Sequence, residues 1–334
     1  MKKTAGFLIF FILAFSSMIY FIFSGNDISI GFARERGVFN QTDGEYTDNS
    51  SLAERSGDRA GYVTIPLPDD FGEENVTVSK NHSGRRITVN ISPVEQDFYH
   101  KNLFSGEMKR ITNIKYGFEE GTASIVFESE EIVEPVTEIR DDKLFIKFVS
   151  PRDIYDHILV IDPGHGGDDS GTTAYGKAEK DIVNGVVEKL HKTLSSDDIG
   201  IYYTREKDTN LSDEERLSFI SSVSADLVVS IHVGADSKSR TTTGTTALSL
   251  SADRALAEAF SSNIAEKCSE KDDGWKDGTN ISLMRNLNSK TIMLELGYIT
   301  NKKEALLMSE DAYMEKASEA LTETIKEYFA NENN

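Results

Sequence analysis

The segment Ile158-Leu-Val-Ile-Asp-Pro-Gly-His-Gly-Gly167 joins an uninterrupted apolar run to a turn-rich loop. Four apolar residues without alternation predict a strand covered on both faces, as in a parallel sheet flanked by helices. Pro163 and the glycines around His165 end that strand and let the backbone bend tightly about the histidine. Downstream, Ile182, Val183, Val186, Val187, Leu190 and Leu194 mark one face of a helix. The alternation then repeats: a strand at Ile201 to Thr204, a helix opened by the capping-box pair Ser212 and Glu215, and a second buried strand, Leu227-Val-Val-Ser-Ile231, ending on His232. A strand at Ala247 to Leu250, a helix from about Asp253 to Cys268, a strand at Ile292 to Leu296 and a closing amphipathic helix through Tyr313, Ala317, Leu321, Ile325 and Phe329 complete it. The pattern predicts an α/β domain over 157–330 with an open, mostly parallel sheet flanked by helices.

In open α/β sheets, active sites gather beyond the carboxyl ends of strands. His165 follows one strand and His232 terminates another. A catalytic zinc takes three nitrogen or oxygen ligands and leaves a fourth position open, so the two histidines invite a third ligand. Glu179 opens the helix after the first loop, where it either caps the helix or turns inward toward a metal. Glu295 lies among Ile292, Met293, Leu294 and Leu296. A carboxylate in a buried strand is costly unless it is paired or used, and such a site suits general acid–base work; the alternative is a strand-end glutamate facing water.

Upstream the organisation changes. Lys2 and Lys3 precede an uncharged apolar run over 4–23. A run of about 20 residues is long enough to span a bilayer, and the leading charge sets the remainder outside the cytoplasm. A transmembrane helix is therefore expected there, with single-pass attachment to the cell membrane, rather than a cleaved signal segment with its shorter apolar core. Residues 24–61 read as a polar tether. Runs at Val76 to Val78, Arg86 to Ile91, Ser124 to Phe127 and Lys143 to Val149 predict a small β-rich domain over 62–151. The formal charge of −20 opposes nucleic acid as a partner. With Cys268 as the single cysteine, no intrachain disulfide is available.

Four blocks, VIDPGHGGDDSG, EKDIVNGVVEKL, YYTREKDTNLSDEERLSFISSVSADLVVSIHVGAD and LMRNLNSKTIMLELGYITNKKEALLMS, resemble the bacterial zinc-dependent N-acetylmuramoyl-L-alanine amidases of the amidase-3 type, in that family's order. The resemblance implies one zinc ion held by His165, Glu179 and His232, Glu295 as the catalytic carboxylate, and peptidoglycan as substrate. Arg285 stands where the family often has arginine before the last strand, which implies either a substrate contact or a surface salt bridge. Two departures stand out: Val233-Gly234 where the family commonly has Ala-Asn, and Ser289-Lys290 where a proline often precedes the last strand. The short stretch between Ser237 and Asn280 leaves no room for the long blocking helix of some relatives, so an open site is expected. Two other readings compete: a zinc peptidase, whose ligands usually stand closer in sequence than His165 and Glu179, and a degenerate amidase fold that binds wall glycan without cutting it.

Overall fold

A computed structural model describes residues 61–196 and 198–332, together with the backbone of short strands at Tyr20–Ser24, Asp27–Gly31, Gln41–Thr42 and Glu45–Tyr46. The apolar stretch 4–23 lies outside these residues except for its last four, which fall in the strand Tyr20–Ser24. Most of the stretch read as a tether lies outside them too. No helix among the described residues is long and apolar enough to cross a membrane. The chain forms two compact units, Met1–Asp153 and Ile154–Asn334.

The first unit is built from antiparallel strands. Ile111–Glu119, Thr122–Ser129, Arg86–Ile91 and Val76–Asn81 lie side by side in one sheet, and Glu134–Arg140, Lys143–Val149, Val63–Pro66 and Ser105–Gly106 form another. Arg86–Ile91 alternates exposed and buried positions, so every second side chain enters the core. Ile87, Val89, Ile125 and Phe127 from one sheet meet Ile65, Leu144, Ile146 and Phe148 from the other in a single cluster. Glu134–Arg140 was not legible as a strand, because it carries Pro135 and three charged residues at the sheet edge.

In the second unit the strands are β1 (His157–Pro163), β2 (Ile199–Tyr203), β3 (Leu227–Gly234), β4 (Thr245–Ser249), β5 (Asp272–Asp277) and β6 (Lys290–Tyr298). The helices are α1 (Glu179–Thr193), α2 (Asp213–Val223), α3 (Arg254–Cys268), α4 (Ser282–Asn286), α5 (Lys302–Leu307) and α6 (Asp311–Glu332). The sheet order is β2-β1-β3-β6-β4-β5. All pairings are parallel except β4 with β6, so the sheet is mixed where sequence patterning predicts only that it is mostly parallel. β5 adds an edge strand that the sequence reading lacks, since Asp272-Asp-Gly-Trp-Lys-Asp277 is polar and shows no apolar alternation.

Leu159, Ile161, Val229, Ile231, Ile292 and Leu294 form one core with the apolar faces of α1, α3 and α6. Ile158, Val160 and Val228 alternate with them along the same strands and are fully buried as well. This is the two-sided burial that the uninterrupted apolar runs require. α2 packs near β1 through a helix whose Phe219, Ile220 and Val223 are buried. Its start is the expected capping box: Ser212 Oγ accepts from Glu215 N at 3.2 Å, and Glu215 Oε2 accepts from Ser212 N at 2.8 Å.

Topology places the site. From β1 the chain goes out to β2 on one side and returns to β3 on the other, so connections diverge at the carboxyl ends of β1 and β3. A crevice opens at such a switch point.

Candidate active site

His165 lies two residues beyond β1 in a left-handed backbone conformation, φ 55°. A branched or bulky side chain is uncommon there and persists only when its surroundings hold it. Two buried arginines do so. Arg216 donates through Nη1 to Asp162 Oδ1 (2.5 Å) and Pro163 O (2.7 Å), and through Nη2 to His165 O (2.9 Å). Arg205 donates through Nε to Pro163 O (3.1 Å) and through Nη2 to Gly164 O (2.8 Å). Three successive carbonyls of the loop thus end on guanidinium groups. Asp162 receives Thr204 Oγ1 and Ser230 Oγ as well. Burial would raise its carboxyl, but Arg216 and the two hydroxyls outweigh that and hold it below its ordinary value.

Glu179 is the first residue of α1 and is buried, 3% exposed. It does not cap the helix. Oε1 stands 3.1 Å from His165 Nε2 and 3.1 Å from His232 Nδ1, and accepts from Val233 N at 2.9 Å. Oε2 accepts from Thr172 N at 3.0 Å. Burial opposes ionisation, yet the two imidazoles and the two amides together hold this carboxyl far below the usual carboxylate range. His232 stands on β3, where the ladder with β6 shifts between His232 and Gly234. A Cβ on Gly164 would overlap the His232 ring, so only glycine lets the loop lie against that ring.

His165, Glu179 and His232 each offer one ligand atom, all within 4.8 Å of one another. His165 Nδ1 lies 2.8 Å from Asp169 Oδ2. His165 thus lies between two carboxylates. Without a metal, a second proton on the ring lets Nε2 and Nδ1 donate to Glu179 and Asp169, which holds the imidazole above its ordinary value. In the neutral ring that donates through Nδ1, the Nε2 lone pair would face the Glu179 oxygen at 3.1 Å. A metal cation would take the place of that second proton between Nε2 and the carboxylate. Two imidazole nitrogens and one carboxylate oxygen are a donor set that zinc accepts, and an aspartate fixing the remote ring nitrogen is the usual support for a histidine ligand. The residues therefore fit the metal. The side chains of both histidines stay 24% and 22% exposed, which leaves the cluster open to solvent.

Glu295 pairs directly with His232 across β3 and β6. Among the described residues its carboxylate has no hydrogen-bond or ion-pair partner. Burial pushes its pKa up, with Lys276 and His232 acting in the opposite sense. It lies against Gly234, whose Cβ, if present, would sit 2.9 Å from Oε2. A side chain at this position would press on the end of the Glu295 side chain as it stands here. Arg285 is exposed near the end of α4 and is not among the residues that converge. Sequence reasoning did not find Arg205 and Arg216. Arg216 shared the helix face of Phe219, Ile220 and Val223, and a charge on an apolar stripe was the available signal.

Fold and site define an α/β protein whose mixed, helix-flanked sheet gathers two histidines and a buried glutamate in one cluster, with a second glutamate on the neighbouring strand. The profile of the N-acetylmuramoyl-L-alanine amidase family matches residues 159–327, half the chain, and the chain belongs to that family. It is a peptidoglycan amidase. YqiI, an uncharacterized protein of Bacillus subtilis, is 33% identical over 174 residues, covering 51% of this chain and 84% of YqiI. The probable cell wall amidase LytH of Staphylococcus aureus is 29% identical over 175 residues, covering 52% of this chain and 58% of LytH. Among solved structures, the amidase AmiC2 of Nostoc punctiforme aligns with a TM-score of 0.50 at 26% identity, over 52% of this chain and 97% of that one. The catalytic domain of CwlV from Bacillus (Paenibacillus) polymyxa var. colistinus gives 0.50 and 26%, over 52% and 98%.

Proposed function

We propose that the second unit hydrolyses the amide between the lactyl group of N-acetylmuramic acid and L-alanine with one zinc ion held by His165, Glu179 and His232, and with Glu295 as general base and acid. The carrying observation is the convergence of Nε2, Nδ1 and Oε1 on one point, with an unpartnered carboxylate on the neighbouring strand. Zinc, when bound, supplies a Lewis acid that polarises the amide carbonyl and makes water a stronger acid. Glu295 takes the proton of the attacking water and returns it to the departing amine of L-alanine. Its raised carboxyl suits both halves of that exchange, since a base must later give the proton up. Asp169 orients His165, and Val233 N and Thr172 N keep Glu179 ionised and turned inward.

Location rests on sequence alone: Lys2, Lys3 and the apolar run 4–23 favour attachment to the cytoplasmic membrane with this unit outside. Protease added to intact protoplasts should digest the second unit, and its protection would reject that orientation. The activity is tested by digesting purified peptidoglycan and identifying products by mass spectrometry. Stem peptides with free L-alanine amino termini are expected, and are lost with a chelator or in Glu295→Ala. Cleavage inside the stem peptide would mean a peptidase instead.

A further inference from the structure

Strand register sets three side-chain positions in a row: His232 pairs with Glu295 across β3 and β6, and Glu295 pairs with Thr246 across β6 and β4. A cation stands at the far end of this row. Lys276, on the next strand β5, sends Nζ to Thr246 Oγ1 (3.2 Å) and Tyr298 OH (2.7 Å). It also lies over the Tyr298 ring, 5.4 Å from the centroid. The ammonium is near enough to act on the Glu295 carboxyl through space, yet the two groups form no ion pair. Its near neighbours are Thr246 Oγ1, Tyr298 OH and Asp273 Oδ2, so it acts on Glu295 by charge alone. Asp273 lies 3.2 Å from Nζ but also binds Lys271 at 2.5 Å, so two ammonium groups share one carboxylate. These three groups alone carry a charge of +1, set against the Glu295 carboxylate, in a chain of formal charge −20. The Lys276 side chain is 43% exposed and remains accessible from solvent.

We propose that Lys276, held by Tyr298 and Thr246, forms a subsite for a free carboxylate of the stem peptide, one residue beyond the scissile amide. This rests on the amidase reading above. In peptidoglycan the second stem residue is joined through its side chain, and its α-carboxyl group is either free or amidated. The ammonium distinguishes the two: it attracts the carboxylate and has no comparable attraction for the amide. The same charge draws an anionic peptide toward the site against the repulsion of the acidic surface.

The test uses the full chain, zinc-loaded, and two soluble muropeptides that differ only in that group, carboxylate in one and carboxamide in the other. The wild type should favour the carboxylate. Lys276→Met should lower kcat/KM on the carboxylate about 10-fold or more, mainly through KM, and change the amide less than about 2-fold. Lys276→Arg, which keeps the charge on a comparable stem, should restore most of the preference. Equal losses on both substrates would overturn the proposal, placing Lys276 in support of Glu295 or of the fold. So would no loss on either. Should the wild type release L-alanyl peptides from neither, the amidase reading fails, and the subsite with it. If the wild type cuts both without preference, the subsite alone fails.

Discussion

Each reactive side chain works through the groups that fix it. Glu295 has no hydrogen-bond or ion-pair partner among the described residues and burial raises its carboxyl, which fits the proton transfer proposed for it. Glu295→Gln should lower kcat by about 10²- to 10⁴-fold while bound zinc stays near one per chain, measured by elemental analysis. Loss of the metal in that variant would show that Glu295 is a ligand. Arg216 acts at one remove, by holding His165 O and the left-handed turn. Arg216→Lys keeps a charge against Asp162 and loses the forked contact, so zinc affinity should weaken about 10- to 100-fold in chelator competition. Unchanged affinity would mean that the loop holds its shape without that bond.

Among the elements, the segment from β1 to α1 does most to build the site, because it carries two of the three residues proposed to hold the metal and packs its loop against the third. Gly164 is the point of closest approach. Gly164→Ala should displace the His232 ring and abolish zinc binding and activity, with far-ultraviolet circular dichroism unchanged. A variant that binds zinc normally would show that the loop can retreat from the ring. Most of this arrangement was readable beforehand. His232 ends an apolar run, His165 stands in the glycine-rich loop just past another, and Glu295 interrupts a third, where a charge is conspicuous. Glu179 was ambiguous, since helix position alone does not say whether a first-turn carboxylate caps the helix or turns away. β5 and its Lys276 were illegible, because a polar edge strand carries no period.

Across the second unit, charge and burial set how stability varies with pH. Asp162 is held below its ordinary value, so its contribution is present above the unfolded carboxyl value of about 3.9 and is lost as pH falls through the folded one. Glu304 is the reverse case. Burial raises its carboxyl although it accepts from Tyr298 N and Gly244 N, so its contribution is present at low pH and lost as pH rises through the folded value. Protonation also relieves the self-repulsion of a chain at −20. The Tm of the metal-free protein should therefore rise as pH drops from 8 to about 5 and fall again below about 4. Scanning fluorimetry across that range would check it, and a Tm that declines steadily from 8 to 5 would show these contributions to be negligible.

The sequence by itself determined the alternating architecture, because a strand covered on both faces must be apolar throughout and a helix on its surface must carry a stripe. It made His165, His232, Glu179 and Glu295 candidates through their joint placement, and the resemblance of four blocks to a known family implied their roles. Only the tertiary structure decided that Glu179 turns inward, that β4 runs against β6, and that two arginines from β2's far end and from α2 close on one loop. Those outcomes depend on contacts between residues far apart in the chain, and no local period or propensity encodes them.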